Sequence, residues 1–569
     1  MLFPPNASDL LQRIPLSARV VLDVGCGDAT WPAVFRSMNP RARLLGIAFD
    51  SSSAALAAPH MDQVITTDAN AETQGLDLPD GIDCIIYDNS LQYLRDPWAV
   101  IRRHADLLGP DGIMLFRVPN IEYWRFADRL LRGTRQRDEV TDPVWQHGFD
   151  LDSMREHLVA AGLHICDTTM MRPTGEQPDR EAETEAATAF AAGLSGLGID
   201  PETYLKRAAA SHMIWRARKQ PLQRLVLSGN MLDPVGGVSH VRVVYPMEAI
   251  GTDPTIIARV TDQVTLGPKD DGVARIFVLH RPALVDERGH ETLRRLTAAG
   301  FLIVTEFDDL PDHFDMMRKG GALSFYGAHA VQTSTTAMAT AIRPYNPEIA
   351  VFPNAVCFLP EVRNFINLPT TTLFFGALNR EADWAPLMPA LNAVAAIAGD
   401  RLRFQVVHDR AFFEALDTPH KAFTPICDHD TYLRLLGESE VSFMPLADTP
   451  FSRAKSDLKF IEAASCRTVA LASSVVYGDS IQDGRTGLLF RDPRELQAKL
   501  IRLVALPELA RGMGDAARQY VADERMLAYQ VAPRIAWYRS IWARRDSLDA
   551  VRRERMQGSR AGYAPPGIE

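Results

Sequence analysis

Three stretches of this 569-residue chain combine residue types suited to an anionic or nucleotide-like ligand. In the first, Val21-Leu22-Asp23-Val24 runs into Gly25-Cys26-Gly27-Asp28-Ala29-Thr30, an apolar run ending in a glycine turn. Glycine lets backbone approach a ligand closely, and a helix start behind it presents N–H groups. The second, Asp233-Pro234-Val235-Gly236-Gly237, places adjacent glycines where a diphosphate could meet the backbone; a purely structural turn explains it equally. The third is Arg453-Ala454-Lys455-Ser456-Asp457-Leu458-Lys459-Phe460-Ile461-Glu462. Cations at a helix N-terminus can clamp a diphosphate, and a carboxylate can accept both ribose hydroxyls. Ser456 or Asp457 would cap that helix, and an ordinary surface Lys459–Glu462 pair is the competing reading.

The elements that must position these residues are short β-rich runs alternating with helical patterns. In the first third the strand candidates are 19–23, 43–47, 84–87 and 113–116, near-continuous apolar runs that predict a parallel sheet covered on both faces. An acidic, alanine-rich stretch near 175–210 reads as a helical insertion, and 212–216 as a late edge strand closing the sheet. A second series begins at Leu225 and a third at Thr372, joined by an extended connector over 354–369. The expected domains are 1–219 (with that insertion), 220–365, 366–545, and a disordered arginine-rich tail at 546–569.

Composition narrows the function classes. A formal charge of −10 argues against a general nucleic-acid binder, which needs a basic surface. No apolar run approaches the roughly 20 residues that span a bilayer, and the N-terminus has no secretory pattern, so a cytoplasmic protein is expected. Contact with the inner face of a membrane stays compatible with this. Six scattered cysteines without a Cys-x-x-Cys pair predict reduced thiols, and no metal site is expected.

The Asp23–Thr30 stretch resembles the first motif of class I S-adenosylmethionine-dependent methyltransferases, and the likeness extends over about residues 15–170. Asp68 matches the acid that addresses adenine in that family, Asp88-Asn89-Ser90 opens its fourth-strand motif, and Gly109-Pro110-Asp111-Gly112 its turn before the fifth strand. The resemblance implies S-adenosylmethionine as methyl donor, held at Asp23, Gly25, Gly27, Asp50, Asp68 and Asp88. One departure matters: the family's ribose-binding acid falls on Ala48. Asp50, two residues on, either reaches the ribose or caps the next helix. His147 lies where sugar methyltransferases place an acceptor-side histidine, so it is either a catalytic base or a packing residue.

The third series resembles retaining glycosyltransferases of the two-Rossmann (GT-B) fold, over about 220–545. That likeness implies a nucleotide-sugar co-substrate, with Glu462 at the ribose and the Gly484-Arg485-Thr486-Gly487 stretch closing the site. Relatives carry a glutamate where this chain has Ala454 and an arginine where it has Ala377. Phosphate binding then shifts to Lys455, Lys459, Arg453 or Arg380, with Lys459 as the catalytic cation and Gly236 and Gly237 beside the donor. The fold class expected is α/β: a Rossmann-like methyltransferase domain followed by two Rossmann-like GT-B halves. The expected function is a bifunctional transferase adding a sugar and a methyl group to a glycan or lipid-linked glycan. The alternatives are a glycosyltransferase with a degenerate methyltransferase domain, or a non-enzymatic glycan-binding platform.

Overall fold

The computed structural model describes residues 8–27, 30–67, 78–132, 147–172, 177–230, 240–261, 273–310, 322–362 and 370–560. Three separate sheets account for every named strand among them. The first contains β1 (Val20–Val24), β2 (Arg43–Ala48), β3 (Gln63–Thr66), β4 (Ile82–Asp88), β5 (Leu108–Pro119), β6 (His164–Met171) and β7 (His212–Arg218). Its order is β3-β2-β1-β4-β5-β7-β6, parallel except where β7 runs antiparallel to both neighbours. The run at 212–216 was expected at the edge. It is instead the strand between β5 and β6, because its apolar Met213, Ile214 and Trp215 are completely buried and need cover on both sides.

The second sheet holds β8 (Leu225–Asn230), β9 (Ile256–Thr261), β10 (Ala274–His280), β11 (Leu302–Glu306), β12 (Ala330–Thr333) and β13 (Ile349–Val351), ordered β13-β12-β11-β10-β8-β9. The third holds β14 (Thr371–Gly376), β15 (Leu402–Val407), β16 (Lys421–Thr424), β17 (Val441–Met444), β18 (Val469–Ser473) and β19 (Gly487–Phe490), ordered β16-β15-β14-β17-β18-β19. Both are parallel throughout. Each of the three sheets is doubly wound, so each has a point where strand order reverses and a crevice opens beyond the strand ends. Those points are β1/β4, β8/β10 and β14/β17.

The sheets are not beads on a string. One buried apolar cluster runs from Leu10, Phe35 and Met38 under the first sheet through Leu227, Met247 and Ile250 of the second to Val531, Tyr538 and Ile541 near the chain's end. Polar contacts stitch the same seam. The Leu16 N–H donates to Thr252 Oγ1 at 2.9 Å, Arg216 donates to the Thr252 carbonyl at 3.0 Å, and the Leu359 N–H donates to the Ser37 carbonyl at 2.8 Å. The acidic stretch near 175–210 folds as helices Gln177–Gly193 and Pro201–Ala208 around a short 3-10 turn. The tail expected to be disordered from 546 is a helix over Arg545–Arg560. Leu548, Arg552 and Met556, four apart, give it one packed face, and Arg555 donates to the carbonyls of Tyr326 and Ala328.

Candidate functional site

The crevice at β14/β17 gathers the cations. A cavity of about 200 Å³ lies between the second and third sheets. Arg242, Arg281, Asp308, Asp309 and Asn354 line it from one side, and Ala377, Arg380, Met444, Pro445, Lys455, Ser456, Lys459 and Tyr477 from the other. Lys455 and Lys459 both line it. Lys459 Nζ donates to the Gly376 carbonyl at the end of β14. Burial, reinforced by the nearby Arg380 charge, lowers its pKa to about 8. Lys455 Nζ sits 3.1 Å from Asp309 Oδ1 and 4.0 Å from the centre of the Phe451 ring.

Both lysines flank the start of the Leu458–Ser465 helix, and that start is left open. Asp457 occupies the N-cap position but makes no capping bond. Its carboxylate is taken by Arg525, at 2.8 Å through Nη2 and 2.5 Å through Nη1, and by the Ser480 hydroxyl at 2.5 Å. Ser456 does not cap either; its hydroxyl accepts from Asn354 Nδ2 at 2.8 Å. A helix start with no side-chain cap, beside two lysines, is an anion site in shape and in field. Asn354 Oδ1 accepts from Arg242 at 2.9 Å, and Arg242 pairs with fully buried Glu306 at 2.8 Å. One polar chain thus links the second sheet to the donor-side loop.

Glu462 lies one turn further along the same helix, largely buried. It accepts from His429 Nε2 at 3.2 Å. Burial alone would lower the His429 pKa, but the hydrogen bond and charge of Glu462 outweigh it and raise it. Tyr245 from the second-sheet side stacks near His429, with ring centres 6.5 Å apart. Sequence reasoning missed His429, because nothing within its local stretch announces a partner 33 residues away.

Four expected donor residues do not line this cavity, and one of them is Glu462, whose carboxylate is paired with His429. Arg453 is two-thirds exposed and turned onto Asp448, at 2.6 Å and 2.9 Å. Thr486 is buried with its hydroxyl accepting from the Gln482 N–H at 2.9 Å, a turn-closing bond. Gly487 begins β19, where a Cβ would press on the Ala470 carbonyl at 3.1 Å, so it serves packing. Gly236 and Gly237 lie outside the described residues. Ala454, where relatives have glutamate, is packed with Phe307 and Phe325 of the second-sheet unit. The carboxylate beside Lys455 comes instead from Asp309.

The β1/β4 crevice is built differently. Gly25 has φ +85°, and a Cβ there would come within 2.4 Å of Ser90 Cβ and 3.0 Å of the Phe49 ring. Gly27 has open space where its side chain would be. Asn89 is also left-handed, at φ +51°, and the buried Asn89 Oδ1 and Ser90 Oγ have no partner among the described residues. These unsatisfied groups and the glycine cradle fit a polar ligand such as S-adenosylmethionine. Asp23 Oδ2 accepts from Trp31 Nε1 at 2.9 Å, and Asp88 pairs with Arg117.

Asp50 resolves to the capping alternative. Its carboxylate accepts from the Ser52 hydroxyl, the Ser53 hydroxyl and the Ser53 N–H at 2.9 Å, which holds its pKa well below the usual range. Ala48 is fully buried and has no carboxylate to offer, and that of exposed Asp50 is engaged in the cap. Asp68 lies outside the described residues. His147 Nε2 is 2.9 Å from the Arg95 carbonyl, which makes that nitrogen a donor and leaves Nδ1 as the acceptor. Among the described residues no cluster of His, Cys, Asp and Glu could hold a metal, and no helix is long and apolar enough to cross a membrane.

Residues 4–167 match the family model described as a methyltransferase domain. Trans-aconitate 2-methyltransferase of Shigella dysenteriae is 27% identical over 195 residues, 32% of this chain and 71% of that protein. Among solved structures, HepE from Anabaena in complex with UDP and glucose is similar at 12% identity and a TM-score of 0.39, covering 56% of this chain and all of that one. A mutant of S. aureus TarM, in complex with fondaparinux, α-GlcNAc-glycerol and UDP, is 11% identical with a TM-score of 0.36. That match covers 46% of this chain and only 55% of TarM. Residues 4–167 are thus similar to a methyltransferase domain, and behind them the chain continues as two parallel, doubly wound sheets.

Proposed function

We propose that the chain is a bifunctional transferase acting on a glycan, using a nucleotide-sugar for one reaction and S-adenosylmethionine for the other. The observation that carries the sugar-transfer reading is the uncapped start of the Leu458–Ser465 helix between Lys455 and Lys459. Sugar transfer leaves a nucleoside diphosphate whose negative charge grows as the glycosidic bond breaks. Ammonium groups and helix N–H groups already in place stabilise that charge more in the transition state than in the bound donor. Glu462, held by His429, is set to accept the ribose hydroxyls. The acceptor glycan would enter from the second-sheet side, where Arg281, Asp308 and Asp309 line the cavity.

For the methyl reaction, Gly25, Gly27, Asn89 and Ser90 would hold S-adenosylmethionine, which supplies an electrophilic methyl group when bound. His147, oriented by the contact of its Nε2 with the Arg95 carbonyl, is the candidate to take the proton from a sugar hydroxyl. A second reading keeps sugar transfer and makes the first domain non-catalytic. It is favoured by one observation, the absence of a ribose-facing carboxylate at Ala48 and Asp50.

Two measurements separate these readings. Thermal shift of the full chain against a panel of nucleotide-sugars should single out a donor, since a ligand that binds only the folded state raises its melting temperature. No shift with any of them, and no nucleotide release, would end the sugar-transfer reading. Calorimetry with S-adenosylmethionine gives heat under the bifunctional reading and none under the second.

A further inference from the structure

The donor lysine nearest the seam is already engaged. Lys455 belongs to the third-sheet half and Asp309 to the second-sheet half, yet Nζ and Oδ1 are 3.1 Å apart. Both side chains keep only about a fifth of their exposure (21% and 19%), so the pair is shielded enough for its charges to matter. The neighbouring carboxylate behaves differently. Asp308 pairs with Arg281 at 2.6 Å inside its own half, and Arg281 is held at φ +43°, a strained conformation for arginine. Of two adjacent aspartates, one is fixed within its half and the other reaches across. Lys455 also rests on the Phe451 ring of its own half at 4.0 Å. Its ammonium therefore keeps one support if the carboxylate is withdrawn.

We propose that Asp309 sets the affinity for the donor by holding Lys455 across the cleft, and that a nucleoside diphosphate must take Asp309's place at that ammonium. This rests on the donor-site reading above. Asp309 and the phosphate oxygens bear the same sign and compete for one cation, so part of the intrinsic affinity of the anion goes to breaking an existing pair. The pair also ties the two halves, so donor entry and release of that tie are a single event. Pocket-lining residues normally weaken binding when altered. Asp309 is expected to do the opposite.

A double-mutant cycle on the full chain tests this by calorimetry with UDP, GDP, ADP and inorganic pyrophosphate. Asp309→Asn should tighten binding five- to ten-fold. In a Lys455→Met background the same substitution should change affinity less than two-fold, because the competing pair no longer exists. Equal tightening in both backgrounds would mean that Asp309 acts only through the general field of the cleft. Weaker binding by Asp309→Asn, in a variant that melts within a few degrees of the parent, would make it a donor ligand. Either result overturns the proposal. Failure of the three nucleotides alone, with pyrophosphate still bound, counts against the nucleotide reading and leaves the exchange measurable. Silence of all four anions with every variant overturns both.

Discussion

Lys459 lines the cleft, and its pKa of about 8 puts its charge within reach of ordinary buffers. The lowered value means the ammonium loses its proton as pH rises through 8. Binding of a nucleoside diphosphate should therefore weaken above that point, by up to about ten-fold per pH unit while the free lysine titrates. Titrations from pH 7 to 9.5 should show this for the parent, and a flat, weak profile for Lys459→Met. The same variant should lower sugar transfer by roughly a hundred-fold or more, the scale seen when a pre-placed oxyanion donor is removed. At the other crevice, Gly25→Ala would force alanine into φ +85° and against Ser90. A loss of at least about 1–2 kcal/mol in denaturant unfolding is expected, together with loss of S-adenosylmethionine binding. Single residues were unevenly legible in the sequence. Helical spacing placed Lys459 and Glu462 on one helix, yet only Lys459 lines the cavity, and Arg453 was drawn away by Asp448, five positions back. His429 and Asp309 act from other elements, and no local pattern points to them.

At the scale of elements, the start of the Leu458–Ser465 helix is open because a side-chain cap is missing. Asp457 has the residue type that closes helix starts, and a reading of the local sequence assigns it that task. Arg525, 68 positions later, takes its carboxylate instead. Removing Arg525 should have two effects. The broken pair, with side chains 12% and 11% exposed, should cost about 3 kcal/mol in chemical unfolding. The freed carboxylate should turn onto the helix start and weaken pyrophosphate binding, which calorimetry would register. An Arg525→Ala variant with unchanged anion affinity would show that the open start is not what binds the anion. The central strands were legible because a buried parallel strand is a continuous apolar run, whereas the partly exposed edge strands β3 and β6 were not named from the sequence. The placement of β7 was not legible, since the same run serves an edge or an interior position and only its two neighbours decide.

The whole molecule is held by a core that disregards the borders between its sheets. Phe35 and Met38 belong to the same buried cluster as Met247, Ile250 and Val531. Cutting the chain between Lys219 and Gln220 would expose that surface on both products. Separately expressed 1–219 and 220–569 are expected to be poorly soluble, and the second to melt well below the intact chain. Scanning calorimetry of the intact chain should show the first and second sheets unfolding in one transition; two resolved transitions would count against the shared core. Composition and spacing gave no hint of this union, because an apolar residue at a module seam reads like any other core residue.

The Ala528–Ala543 helix adds a consequence in time. It follows the third sheet in the chain, but its Val531, Tyr538 and Ile541 complete the buried cluster of the second, and Tyr538 donates to Gln332 on β12 at 2.7 Å. Roughly two hundred residues of translation therefore separate β12 from the helix that seals it. During synthesis the second sheet must wait with an unsealed flank, and a ribosome-bound intermediate that has already folded the β1/β4 crevice would still lack a finished cleft between the second and third sheets.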